Sequence, residues 1–313
     1  MTSIVLLFPG QGSQVPGMGK DLAERFPVAR ETFLAADAVI GAPLSQLCFE
    51  GPAEELTLTL NAQPALLAHG AAIWAVVRNV VGPMVVAAAG HSLGEFTAYH
   101  AADAIALPEA VRLVRRRGEL MFESGTRRPG AMAALLGDLT MPVEAICEEA
   151  RAEGVVVPAN FNSPGQIVIS GEPPGVERAM ALAKAAGAKR AIRLNVSGAF
   201  HSPLMTDAAD GLESAIGLAH LADPRFPVYA NVNGQPITDA ALARRLLVEQ
   251  LTSPVQWVRA IERLAAAHSD ALFVEMGPGA VLKGLVKKIA PGLNVVTCGT
   301  AAEVDALLTM VTS

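Results

Sequence analysis

Residues 85–95 read Val-Val-Ala-Ala-Ala-Gly-His-Ser-Leu-Gly-Glu. The apolar, partly β-branched run from Val85 stops at Gly90, Ser92 stands between Gly90 and Gly94 in Gly-x-Ser-x-Gly spacing, and helical periodicity begins directly afterwards. This is a strand, a tight turn and a helix, with a serine at the turn. A serine that attacks a carbonyl must project beyond its sheet, and side chains at Gly90 and Gly94 would collide with neighbouring backbone there. The helix start leaves free N–H groups where a developing oxyanion can be held.

Outward from this stretch, strands alternate with helices. Residues 3–8 form a short apolar strand ending in the glycine-rich loop 9–14, helical periodicity fills 18–40 with a break at Pro27, and further helices are expected at 52–58, 63–80 and 108–124. The run 56–77 is uncharged, but Asn61, Gln63, Pro64 and His69 interrupt it, so a core helix is expected there instead of a membrane span. Strands separated by helices imply a parallel sheet covered on both faces. From residue 127 the texture becomes β-α-β-β-α-β, with strands at 131–136, 155–161, 166–171 and 189–196, helices at 142–153 and 173–186, and a hairpin turn at 162–165. That is the ferredoxin-like order. The fold class expected is α/β: an α/β-hydrolase-like parallel-sheet core, residues 1–127 and 198–313, with an inserted ferredoxin-like subdomain, 128–197.

The chain has 313 residues, 51% of them apolar, ample for a buried core. A net charge of -6 argues against nucleic acid as the main partner. Three scattered cysteines, Cys48, Cys147 and Cys298, give neither a disulfide framework nor metal-ligand spacing, and a reducing cytoplasm fits them. The first residues lack a basic segment and read as a strand, not a signal peptide.

A nucleophilic serine needs a base, and six histidines are available. His91 adjoins Ser92 and diverges from it on the turn. His100 lies roughly 12 Å along the following helix, at about 1.5 Å per residue, out of hydrogen-bond range. His69 sits in an apolar helix as a core residue, while His220 and His268 sit in polar connections. His201 remains, in a loop at a strand end before Pro203. No acidic third member stands out: Asp207 and Asp210 face solvent on the next helix, and a backbone carbonyl is the other way to orient the ring.

On the helical wheel of residues 110–122, Arg112, Arg115, Arg116 and Glu119 share a solvated face, whereas Arg117 falls in the apolar one with Leu113, Val114, Leu120 and Met121. An inward arginine needs an anion. Two readings stand open: a structural ion pair with an internal carboxylate, or a clamp for a substrate carboxylate. The loop 10–14 lacks the pattern of a phosphate cradle, and its Gln11 N–H is a candidate to complete an oxyanion hole with that of Leu93.

The chain resembles, almost end to end, the malonyl-CoA:acyl carrier protein transacylases, the acyltransferase family of fatty acid and polyketide synthesis. The resemblance rests on residues 8–14 (FPGQGSQ), 90–95 (GHSLGE), 115–118 (RRRG), 160–166 (NFNSPGQ) with 169–171 (ISG), 199–202 (AFHS), and Gln250 ahead of 254–257 (PVQW). It implies malonyl transfer from malonyl-CoA to the phosphopantetheine thiol of acyl carrier protein. Ser92 would be the acylated nucleophile, His201 its base, Gln11 and Leu93 the oxyanion amides, and Arg117 the malonyl clamp. The main-chain carbonyl of Gln250 would orient His201, Phe200 would restrict an α-methyl group, and Asn162 would contact substrate. It further implies no metal and no cofactor beyond these substrates, and a cytoplasmic monomer without nucleic-acid or membrane partners. A hydrolase and a non-catalytic docking subunit are the rival classes. Because acyl carrier proteins are acidic, Lys189 and Arg190, and Lys283, Lys287 and Lys288, are candidate docking residues.

Overall fold

The computed structural model describes residues 3–196 and 198–313. Met1 and Thr2, and Ser197 at the end of the expected insert, lie outside it. Ten strands form two sheets: β1 (Ile4–Phe8), β2 (Val85–Gly90), β3 (Ala131–Leu136), β4 (Val156–Ser163), β5 (Gln166–Gly171), β6 (Arg190–Arg193), β7 (Val228–Tyr229), β8 (Pro236–Ile237), β9 (Leu272–Glu275) and β10 (Asn294–Thr297). The larger sheet runs β10-β9-β1-β2-β7-β8, parallel except at the β7/β8 edge. Its central strands are apolar on both faces because helices cover both: Ile4, Leu6 and Phe8 enter one core cluster, while Val5 and Leu7 enter another on the opposite side. The smaller sheet, β4-β5-β3-β6, is wholly antiparallel and carries two helices on one face over a third core cluster. This is an α/β-hydrolase-like core with a ferredoxin-like subdomain.

The smaller sheet is tied to the larger unit along β4. Phe161 N donates to Val255 O (2.9 Å) and Val255 N donates to Ala159 O (2.8 Å), a short parallel bridge. The hairpin turn is tighter than expected. β4 continues to Ser163, and only Pro164 and Gly165 turn, Gly165 at φ +70°. Asn162 therefore belongs to a strand and not to a loop, which fixes where its side chain goes.

The stretch Thr59–Met84 is long and apolar enough to cross a membrane, yet it is largely buried and packs against the helix Leu107–Arg127. Its helix begins at Thr59, earlier than the sequence suggests, with Pro64 inside. Proline cannot bond back to the carbonyl four residues earlier. Leu60 O accepts instead from Arg115 Nη1 (3.1 Å), which draws Arg115 into a half-buried position rather than the solvated face expected for it. A helix at Leu44–Glu50, unannounced by any strong pattern, completes this region.

Candidate active site

The elbow has the conformation its glycines predict. Ser92 sits at φ +52°, in the left-handed region, and is partly exposed. A Cβ on Gly90 would lie 1.9 Å from Gly94 C, and one on Gly94 would lie 2.2 Å from Phe8 O. Gly10 meets the same limit against His91 O, at 2.5 Å, so the loop after β1 is pressed onto the elbow. Asn231, just past β7, holds the strained turn from both sides: its Oδ1 accepts from Ser92 N and its Nδ2 donates to Gly90 O, each at 2.7 Å.

His201 meets Ser92 across 109 residues of sequence. Ser92 Oγ lies 2.8 Å from His201 Nε2, while His201 Nδ1 lies 2.8 Å from Gln250 O. A main-chain carbonyl only accepts, so Nδ1 carries the proton and Nε2 is left to accept the hydroxyl proton of Ser92. His201 is itself at φ +57° and buried. Burial, with the nearby Arg117 charge, brings its pKa down to about 3, keeping the ring neutral. His91 Nε2 is 2.8 Å from Asn162 Oδ1 and its ring packs on Trp257, His100 Nδ1 is 3.0 Å from Ile105 O, and His69 is fully buried in its helix.

Arg117 is 1% exposed. Its Nη1 donates to Gln63 Oε1 (2.6 Å), and its Nη2 donates to Gln250 Oε1 (2.8 Å) and to Ser92 Oγ (3.1 Å). Among the described residues no carboxylate stands in ion-pair range of it. Of the two readings open from sequence, the structural ion pair therefore fails. Burial lowers its pKa to about 10, with Glu95 acting to raise it, so the guanidinium stays cationic at neutral pH. Neutral amide oxygens thus hold a buried cation beside the serine, and its charge is left for an anion.

Neither Gln11 N nor Leu93 N donates to a protein acceptor among the described residues. The Gln11 side chain accepts from Thr59 Oγ1 (2.8 Å), and Thr59 Oγ1 in turn accepts from Gln63 Nε2 (3.0 Å), linking the loop to the arginine. Phe200 is buried beside a cleft of about 430 Å³ shared with Gln11 and Thr59. A larger cleft of about 620 Å³ runs from His201 between Phe161 and Ser163 on one side and Pro254 and Arg259 on the other. The structure brings Ser92, His201, Arg117 and Gln250 into one hydrogen-bonded cluster. Asn162 stands outside it, bonded to His91, the residue before Ser92. Among the described residues no three His, Cys, Asp or Glu side chains gather as a metal ion would need.

Three participants escape sequence reasoning: Gln63, Glu95 and Asn231. The only signal for Gln63 is a polar residue in an otherwise apolar helix. Glu95 lies inside the elbow motif but is indistinguishable there from a first-turn acidic residue, and Asn231 carries no local signal.

A family model described as an acyl transferase domain matches residues 5–303. The chain is 44% identical over 309 residues to a malonyl CoA-acyl carrier protein transacylase of Salmonella typhimurium, covering 99% of this chain and 100% of that one. It is 47% identical over 306 residues to that of Bacillus subtilis, covering 97% and 96%. Among solved structures, the malonyl CoA-acyl carrier protein transacylase of Coxiella burnetii superposes with a TM-score of 0.95 at 38% identity, covering 100% of this chain and 98% of that one. A malonyl-transacylase in complex with its holo type II PKS acyl-carrier protein superposes with a TM-score of 0.93 at 41% identity, covering 99% and 100%.

Proposed function

The chain belongs to the acyl transferase domain family, and on that premise we propose that it moves malonyl groups from coenzyme A to acyl carrier protein through an ester on Ser92. The observation that carries the malonyl group is Arg117, a buried cation without a carboxylate partner, 3.1 Å from the nucleophilic oxygen. An acyl group esterified at Ser92 with one methylene between its carbonyl and a free carboxylate sets that carboxylate against the guanidinium. Acetyl has nothing to offer it.

In the first half-reaction Ser92 Oγ attacks the thioester carbonyl as its proton passes to His201 Nε2. The oxyanion is met by the amides of Gln11 and Leu93, the thiolate of coenzyme A takes the proton, and malonyl-Ser92 remains. In the second half, the phosphopantetheine thiol gives its proton to His201 and attacks the ester, the malonyl thioester forms on the carrier protein, and Ser92 Oγ leaves with the proton returned by His201. Burial first, and the charge of Arg117 after it, depress the His201 pKa in the free enzyme. A bound malonyl carboxylate cancels that charge, so the base strengthens as the correct substrate arrives.

The larger cleft, leading from His201 to the seam between the sheets, suits the pantetheine arm, and Phe200 bounds the acyl end. Lys189, Arg190, Lys287 and Lys288 are exposed and Lys283 is half-buried; we assign these to docking of the acidic carrier protein. The protein is taken to act as a cytoplasmic monomer with no cofactor beyond its substrates, and a sedimentation mass of one chain tests the monomer. Turnover with malonyl-CoA, followed as carrier-protein malonylation and as free malonate, tests the transferase. Malonylation must dominate. Rapid malonate release without carrier protein would make the chain a hydrolase.

A further inference from the structure

Two carboxylates, Glu95 and Glu275, have no exposure at all. Glu275 is accounted for: its oxygens accept from Leu282 N and Lys283 N at the start of the helix Val281–Ile289. Glu95 caps nothing. Its Oε2 accepts from Gln250 Nε2 (2.6 Å) and from Asn231 N (3.1 Å), while Oε1 has no partner. One carboxylate oxygen thereby touches both residues on which the reacting groups depend. Gln250 holds Arg117 by its side chain and His201 by its main chain, and Asn231 holds the Ser92 turn.

A carboxamide has nearly the same shape when turned over, and turned over Gln250 would present its NH2 to Arg117. Guanidinium has only donors, so that orientation loses the bond and sets donor against donor. What opposes the turn is an acceptor on the far side of the amide. Glu95 Oε2 supplies one and Ser92 O (3.1 Å) supplies a weaker second.

We propose that Glu95 is a positioning residue for malonyl selection: it locks the Gln250 carboxamide with its oxygen toward Arg117, and ties that lock to the nucleophile's turn through Asn231. The inference rests on the malonyl reading of the site. Negative charge is not required, since either protonation state of Glu95 leaves Oε2 an acceptor. Burial pushes the carboxyl up to about 7, so both states occur near neutral pH, and a device dependent on charge would fade across that range.

The test is the ratio of kcat/KM for Ser92 acylation by malonyl-CoA to that by acetyl-CoA, in the wild type, Glu95→Gln and Glu95→Ala. The glutamine's oxygen takes the place of Oε2 and its NH2 that of the unpartnered Oε1, so Glu95→Gln keeps the ratio within about threefold. Glu95→Ala removes the acceptor and lowers the ratio about ten- to a hundredfold, mainly through a higher KM for malonyl-CoA. Glu95→Met fills the space without an acceptor and takes the place of Glu95→Ala if the alanine variant does not fold. An unchanged ratio in Glu95→Ala or Glu95→Met would overturn the proposal. So would a Glu95→Gln ratio as low as theirs, which would make the role one of charge. A wild type that takes no malonyl at all would instead overturn the malonyl reading, and this inference with it.

Discussion

The two sheets solve opposite problems. The four-stranded sheet and its helices close over an aliphatic core from Ala131 to Ala188, and their ion pairs, such as Arg128–Glu172 and Arg193–Glu177, lie on the surface. Beside the elbow of the larger sheet, Glu95, Arg117, His201, Asn231 and Gln250 are all buried, and each leans on another. Burying five polar side chains in one place opposes folding unless their bonds are met. The fold retains two strained residues there as well, Ser92 and His201. The first region is built for stability and the second for holding groups where water alone would not leave them.

That contrast predicts which substitutions change chemistry and which only stability. His201→Ala removes the base and slows acylation of Ser92 by on the order of 10²- to 10⁴-fold, measured by quenched-flow mass spectrometry. A near-normal rate would mean another histidine serves. Arg117→Ala costs about 2 to 5 kcal/mol of malonyl-over-acetyl preference, the range for breaking a buried charged contact, and competition between the two thioesters reads it directly. In the aliphatic region, Ile169→Val lowers unfolding free energy by about 0.5–1.5 kcal/mol and leaves the preference untouched. A changed preference there would show that the two regions are not separable.

The smallest effect is in pH. His201 is held neutral to about 3 against 6.5 ordinarily, so the unfolded chain takes up a proton that the folded one refuses, and stability falls as pH drops below 6.5. Glu95, raised to about 7 from 4.5, works the other way: the folded chain keeps a proton that the unfolded one has lost, and stability falls as pH rises from 4.5 to 7. Between 4.5 and 6.5 the two slopes oppose and cancel, so denaturant midpoints should show His201→Ala flattening the limb below 4.5 and Glu95→Gln flattening the limb above 6.5, each by at most about 1.4 kcal/mol per pH unit. Variants in the four-stranded sheet should leave both limbs as they are.

The same contrast explains what was legible in the sequence. Alternating strands, the βαββαβ order and the inward place of Arg117 are periodic features, carried by neighbours in the chain. Ser92 was legible because a strained turn demands glycines beside it, and His201 because the other histidines could be excluded by geometry. The orientation of Gln250, the acceptor role of Glu95 and the brace at Asn231 depend on bonds spanning 136 to 158 residues. Nothing local marks them. Asn162 shows the intermediate case: its motif was recognised, but β4 runs two residues further than expected before the hairpin turns, and Asn162 stands against His91.

The central claim is that Ser92 carries a malonyl ester because Arg117 waits beside it. Incubation with malonyl-CoA alone, followed by intact-mass and peptide mass spectrometry, tests it most directly. The wild type should gain one malonyl group on the peptide holding Ser92, released when holo-acyl carrier protein is added, and Ser92→Ala should gain none. A wild type without adduct, or an adduct that persists in Ser92→Ala, would contradict the account.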